Sequence, residues 1–269
     1  RHGQGGLLSR MGQRLEEAAV LPVDAETRAL VIVRSPNRSE IFRNQLHERL
    51  SLARFDAEGR LDVEIRWFGL SAEAMRTTLP RMDAAELRSF VSAGYQQQYG
   101  DIRLLDDPQI SDDRRLNQLQ IVARFAVPAL ARAANGRWAV PFAPSLGDAI
   151  VLPPKLSRRF PLAIASFPVT YHYQVDMSWP DAATLDEAPA SQLLETPHFR
   201  LLTTRSAQGT HESRTIEFAA KVAQVPAAEV ASLVEDLGRL AQRIGGVMLA
   251  SDGGTARPAA ITSPAQAPP

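Results

Sequence analysis

Cysteine is absent from all 269 residues of the chain. That excludes a thiol nucleophile, a thiolate metal site and any disulfide within it. Net charge is lacking too: 30 basic residues stand against 30 acidic ones. A balanced chain has no global field to draw it to nucleic acid or to an anionic membrane, although a local patch remains open to it. No run of 18 apolar residues occurs, so no membrane-spanning helix is expected. Neither GxxxxGKS/T nor GxGxxG appears, which removes the two common glycine-rich phosphate loops. The basic pairs at 114–115 and 158–159 are not interleaved with aromatics, as a single-strand nucleic-acid groove requires. The first residue is Arg1 and no charged-then-apolar leader follows it. The sequence is therefore expected to be a piece of a longer polypeptide or a processed form.

What is present reads as ordinary globular material. Hydrophobic residues make up 45% and charged residues 22%, enough for one large core or two modest ones. A Gly-, Arg- and Gln-rich opening (1–20) and a short apolar run, "RALVIV" (28–33), precede the regular patterns. "QLHERLSLARF" (45–55), the turn "DAEG" and "RLDVEIRWF" (60–68) predict a β-hairpin. Leu61, Val63, Ile65 and Trp67 alternate with Asp62, Glu64 and Arg66, giving one buried and one wet face. "NQLQIVARFAV" (117–127) repeats the alternation. So does "VTYHYQVDMSW" (169–179), whose Tyr171, Tyr173 and Trp179 suit a buried layer between sheets. "HFRLLTTR" (198–205), "SAQG" and "THESRTIEFAAKV" (210–222) predict a second hairpin.

Three helical patterns interrupt the strands. The first covers roughly 71–78. The second opens on Asp83, with Glu86 three residues on as a capping box, aligns Leu87, Phe90, Val91 and Tyr95, and stops at Gly100. The third follows Pro226 with a stripe of Val230, Leu233, Val234, Leu237, Leu240 and Ile244, ends at the glycines 245–246, and "VMLA" then returns to a sheet. The predicted fold is α+β and strand-dominated: antiparallel sandwich-like sheets with two or three covering helices. Prolines crowd 141–162 and cannot donate to a sheet ladder, so a soft boundary is placed near Pro154. The expected units are a lead-in over 1–40, an α+β unit over 41–155, an antiparallel unit with a helix over 156–250, and a flexible tail over 251–269.

Several side chains invite a chemical reading. Ser71 follows a strand and Gly69, as a hydrolase nucleophile would, but G-x-S-x-G lacks its second glycine here. The other reading of Ser71 is a helix N-cap, with Glu73 in the first turn. His172 and Asp176 share a strand face about 13 Å apart, too far to ligate one zinc ion at about 2 Å. His211 and Ser213 are roughly 6.6 Å apart at the backbone, beyond the direct contact of about 3 Å that a general base needs. Asp106, Asp107, Asp112 and Asp113 form the best metal candidate, but they lack the EF-hand spacing and read as a solvated turn. No residue is assigned as catalytic, cofactor-binding or metal-binding.

The order of features carries a resemblance. "TRALVIV", a hairpin closing in "LDVEIRWFGLSAEAMR", "YQQQYGDIRL", "GDAIVLPP", "SRRFPLAIASFPVTYHYQVDMSWP" and a Pro-led helix closing in "GGVMLA" follow one another. This resembles the region C-terminal to the catalytic core in bacterial transglutaminase-like proteins that carry a β-rich domain of unknown function before that core. The recurring passages correspond to Gly69, Ala72 and Arg76, and to Arg159, Phe160, Pro161 and Leu162. The resemblance implies a non-catalytic accessory region, periplasmic or in the cell envelope, partnered by the upstream core. The family's Cys, His and Asp triad lies upstream of the matched part, and no cysteine here can take the nucleophile's role. Two other functions stay open: a serine hydrolase using Ser71 or Ser213, and a stand-alone carbohydrate- or peptide-binding β module. No cofactor is expected under any of the three.

Overall fold

The computed structural model describes residues 19–20, 28–32, 42–144, 158–164, 167–185 and 190–253. Most of the lead-in, much of the Pro-rich stretch and the tail beyond residue 253 lie outside the described residues. Strands β1 (Ala19–Val20) and β2 (Val31–Ile32) form a small antiparallel ribbon. The expected first hairpin is β3 (Phe42–Ser51) with β4 (Gly59–Phe68), paired antiparallel so that Leu46 faces Ile65 and Leu50 faces Leu61.

Helix α1 (Gly69–Thr78) leaves β4 without a linker. Gly69 takes φ 56°, and its N–H donates to the Asn117 carbonyl at 3.1 Å. A glycine enters that left-handed turn without the cost a Cβ would add. The helix therefore begins two residues before Ser71, with Phe68 as its N-cap and no side-chain cap. This corrects the N-cap reading of Ser71, which lies inside the first turn.

A short 3-10 turn (Leu79–Arg81) leads to α2 (Ala84–Tyr99). Its capping box forms as expected: Asp83 Oδ1 accepts from the amides of Ala85 and Glu86, and the Asp83 amide donates to Glu86 Oε2, each at 2.8 Å. Gly100 closes the helix at φ 81°. The buried stripe is Leu87, Val91, Tyr95 and Tyr99, spaced by four. Phe90, one step off that line, is 42% exposed, which corrects its place in the apolar face.

After α2 come β5 (Arg103–Leu104), β6 (Gln109–Asp113), β7 (Gln118–Val127), β8 (Arg132–Ala134) and β9 (Arg137–Phe142). The chain continues with β10 (Leu162–Ala163), β11 (Val169–Ser178), β12 (Ala183–Leu185), β13 (Ser191–Glu195), β14 (Phe199–Gln208), β15 (His211–Ala220) and β16 (Gln224–Val225). Helix α3 (Val230–Ala241) and β17 (Gly246–Asp252) end the described chain.

Nine strands make one sheet in the order β13-β14-β15-β11-β3-β4-β7-β5, with β6 also on β7. Every pair is antiparallel except β3–β11, which runs parallel in register from Phe42 beside Val169 to Ser51 beside Ser178. That pair joins strands from either side of the Pro-rich stretch into one surface. A second sheet runs β12-β17-β9-β8, and β10 pairs with β16.

One face of the large sheet carries the core. Leu61, Ile121, Phe125, Tyr173 and Val175 are wholly buried there. The two sheets meet as sandwich layers, with Phe142 of β9 stacked on Tyr173 of β11 at 6.3 Å. Phe55 lies 5.3 Å from Trp138 and 6.1 Å from Trp179. From α1, Ala72 enters the same core, and from α2, Tyr95 meets Phe125 at 5.6 Å. Val230 and Leu233 of α3 build a satellite core with Ile164 and Val225. The other face of the sheet alternates into polar and charged side chains.

Candidate functional site

The polar face is a consequence of register. Asp176 of β11 lies directly beside Ser213 of β15, and His47 of β3 beside Gln174 of β11. His47 Nε2 is 2.5 Å from Asp176 Oδ2, and Gln174 Nε2 donates to both Asp176 oxygens at 3.0 Å. Arg49 Nη2 lies 3.0 Å from His47 Nδ1. Burial works to raise the Asp176 pKa, but hydrogen bonds from Ser213, Gln174 and His47, and the pull of His47, hold it below its ordinary value. Farther along, Glu64 pairs with Arg66 and lies 3.5 Å from Arg49.

A nucleophilic triad needs an imidazole between the acid and the serine. Here the carboxylate of Asp176 stands between the imidazole of His47 and the hydroxyl of Ser213. A carboxylate held below its ordinary range is a poor base for a hydroxyl. His211 points elsewhere, with Nδ1 3.1 Å from Ser178 Oγ. His172 faces Glu217 at 3.7 Å and is not joined to Asp176. Ser71, on α1, has no histidine hydrogen-bonded to it among the described residues.

The acidic cluster divides among separate cations. Asp112 pairs with Arg76 at 2.8 Å and Arg114 at 3.2 Å, Asp107 with Arg88 at 2.8 Å, and Asp106 with Arg124 at 3.2 Å. Asp113 accepts from the Leu116 amide at 2.9 Å. Among the described residues no three His, Cys, Asp or Glu converge as a metal site.

Gly69, Ala72 and Arg76 have a shared structural use. The Arg76 guanidinium is buried and donates to Asp112 Oδ1 at 2.9 Å and Asn117 Oδ1 at 2.5 Å. Asn117 Nδ2 donates to Glu73 Oε1 at 3.0 Å. Asn117 itself sits at φ 49° in the turn between β6 and β7. Helix α1 is thus clamped to that turn by Arg76 and Glu73, while Ala72 is wholly buried.

Two buried constellations escaped the sequence reading. Glu48 is 2% exposed on the core face, accepting from Tyr95 at 2.7 Å and Tyr173 at 2.6 Å. Burial raises its pKa, and the two phenol hydrogen bonds offset this only in part. All four tyrosines of the chain feel this carboxylate: burial first, and its charge next, push their phenols upward. A local signal exists, since period two puts Glu48 between Leu46 and Leu50 on the apolar face.

The second is His198, 3% exposed, whose Nδ1 lies 3.0 Å from Asp236 Oδ2 of α3 and whose Nε2 lies 3.6 Å from Glu229. Arg239 also pairs with Asp236. Burial works to raise the Asp236 pKa, but hydrogen bonds from Arg239 and His198 lower it below the ordinary value. The Thr196 hydroxyl accepts from the amides of His198 and Phe199 at 3.1 Å, which sets the turn that presents the imidazole. No local pattern joins positions 38 residues apart, so this pair had no signal in the sequence.

These features define a strand-dominated α+β protein of sandwich type with one polar sheet face. Comparison of the chain with protein-family models, curated proteins and solved structures finds no match.

Proposed function

We propose that the chain is a non-catalytic accessory region of a bacterial transglutaminase-like cell-envelope protein. It docks on the upstream catalytic core of the same polypeptide through the polar face of its large sheet. The observation that supports this reading is the two-sidedness of that sheet. One face is spent on the core. The other presents cross-strand polar pairs around a shallow depression of about 320 Å³ that Arg43, His172, Arg200, Leu202 and Glu217 help to line. Mixed charge around a small apolar centre is the pattern of a docking surface with a polar rim. Leu193, half exposed on edge strand β13 and paired in register with Leu202, extends the apolar centre.

The test is a calorimetric titration of the chain with the separately produced segment encoded upstream of Arg1. That segment is expected to carry Cys, His and Asp in triad order and to bind. Arg200→Glu combined with Leu202→Asp is expected to weaken binding by at least about ten-fold while the melting temperature holds. An upstream segment without the triad, or one that does not bind, defeats the reading.

A further inference from the structure

The two ends of the large sheet differ. At one end Pro108 precedes β6, which carries Asp112 and Asp113, and β5 beside it has only two residues. The end strands of the small sheet, and the strands of the two ribbons, are two or three residues long. Short strands, prolines and charges are how proteins keep sheet edges from pairing. The other end is β13, five residues with no proline, lysine or arginine. Its one charge, Glu195, is paired with Lys221 at 3.2 Å. Register fixes which groups β13 turns outward. The Arg205 amide donates to the Ala190 carbonyl at 2.9 Å, and the Thr196 amide to the Phe199 carbonyl at 3.0 Å. An antiparallel strand bonds a given neighbour at every second position. Gln192 and Leu194 therefore turn their backbone groups to β14, and the amides and carbonyls of Ser191, Leu193 and Glu195 face away from it. All three residues are exposed, Leu193 by half. Among the described residues no strand pairs with that side.

An open row of amides and carbonyls takes up an extended segment, and the residues of β13 select which one. A two-fold axis through Leu193 sets β13 antiparallel to a copy of itself. Of the antiparallel self-registers, this alone engages all three outward residues. Leu193 then opposes the partner's Leu193, and Ser191 opposes the partner's Glu195. No like charges meet, each carboxylate faces a hydroxyl, and two half-exposed leucines cover each other at the axis. We propose that β13 pairs with β13 of a second copy of this chain, joining two large sheets into one continuous sheet across a two-fold axis. The strand pair is short, so the dimer is a weak one that forms at high concentration or where copies are held together. The pairing uses the edge of β13 and not the sheet face, so it does not rest on the docking reading.

The whole chain would be sedimented from about 5 µM to about 500 µM, with backbone amide exchange followed at both limits. A shift from monomer to dimer is expected. The Ser191, Leu193 and Glu195 amides should then exchange at least about three-fold more slowly. Those of Gln192 and Leu194 are bonded to β14 already and should change little. Leu193→Lys and Leu193→Glu each place like charges on the axis and should weaken the dimer at least about ten-fold. Mixed in equal amounts, the two variants should dimerise more tightly than either alone, which also shows that both are folded. A chain that stays monomeric to about 500 µM overturns the proposal. So does a dimer that either variant leaves intact, or a mixture no tighter than its components. Edge amides already protected in the monomer overturn it too, because that edge is then covered by another part of the same chain.

Discussion

The Tyr173 hydroxyl donates a 2.6 Å hydrogen bond to Glu48 Oε2 across the parallel β3–β11 pair. The bond lies where the two parts of the large sheet join. Burial keeps the Glu48 pKa above its ordinary value, so over some pH range the folded chain retains a proton that the unfolded chain has released. That contribution to stability is full below the unfolded carboxylate pKa, about 4.3, and is lost as pH rises through the folded value. Glu48→Gln is expected to flatten this fall and to raise the melting temperature at neutral pH relative to the parent chain. A melting series from about pH 4 to pH 8 checks it; an unaltered slope contradicts it. Tyr173→Phe strips one oxygen of a buried carboxylate of its donor and should cost about 1–3 kcal/mol in urea unfolding.

Asp236 works in the opposite sense. Its folded pKa is lowered, so its contribution is present above the unfolded carboxylate value and is lost as pH falls through the folded one. Asp236→Asn is expected to flatten the acid limb of the melting curve, below about pH 4. His198→Ala leaves the Asp236 carboxylate short of a buried partner and should cost about 3–5 kcal/mol at neutral pH. A loss below about 1 kcal/mol would mean that the pair does not tie β14 to α3.

The clamp on α1 separates three neighbouring positions by unfolding in denaturant. Arg76→Ala leaves Asp112 and Asn117 short of a buried guanidinium and should cost about 3 kcal/mol or more. Gly69→Ala forces a Cβ into φ 56° and should cost about 1–2 kcal/mol. Ser71→Ala removes no cap and should stay within about 0.5 kcal/mol of the parent. A large effect at Ser71 with a small one at Arg76 would reverse this assignment.

Among the described residues neither Ser71 nor Ser213 is hydrogen-bonded to a histidine, and the carboxylate beside Ser213 is a weak base. A fluorophosphonate probe is expected to label the parent chain, Ser71→Ala and Ser213→Ala alike, at background. Labelling that disappears in either variant would establish a hydrolase and displace the accessory reading.

Period-two alternation made β3, β4, β7, β11, β14 and β15 legible, because half-buried strands must divide their residues between two faces. The Asp83–Glu86 box and Gly100 were legible for the same local reason: each satisfies backbone groups within one turn. Ser71 misled because a serine before a helical pattern looks like a cap, whereas Gly69 lets the chain enter the helix earlier. Phe90 misled because an apolar residue beside a stripe is hard to tell from one within it.

The sequence by itself determined that no thiol chemistry occurs here, that strands dominate, and where three helices lie. Those properties depend on composition and on neighbours a few residues away. Only the tertiary structure decided that β3 and β11 run parallel, that Glu48 is ringed by tyrosines, and that His198 meets Asp236. It also decided that Asp106, Asp107 and Asp112 face different arginines and so do not converge on an ion. Such partners lie far apart in sequence. Which charges meet depends on strand order and register, and these are set by burying the whole apolar face at once.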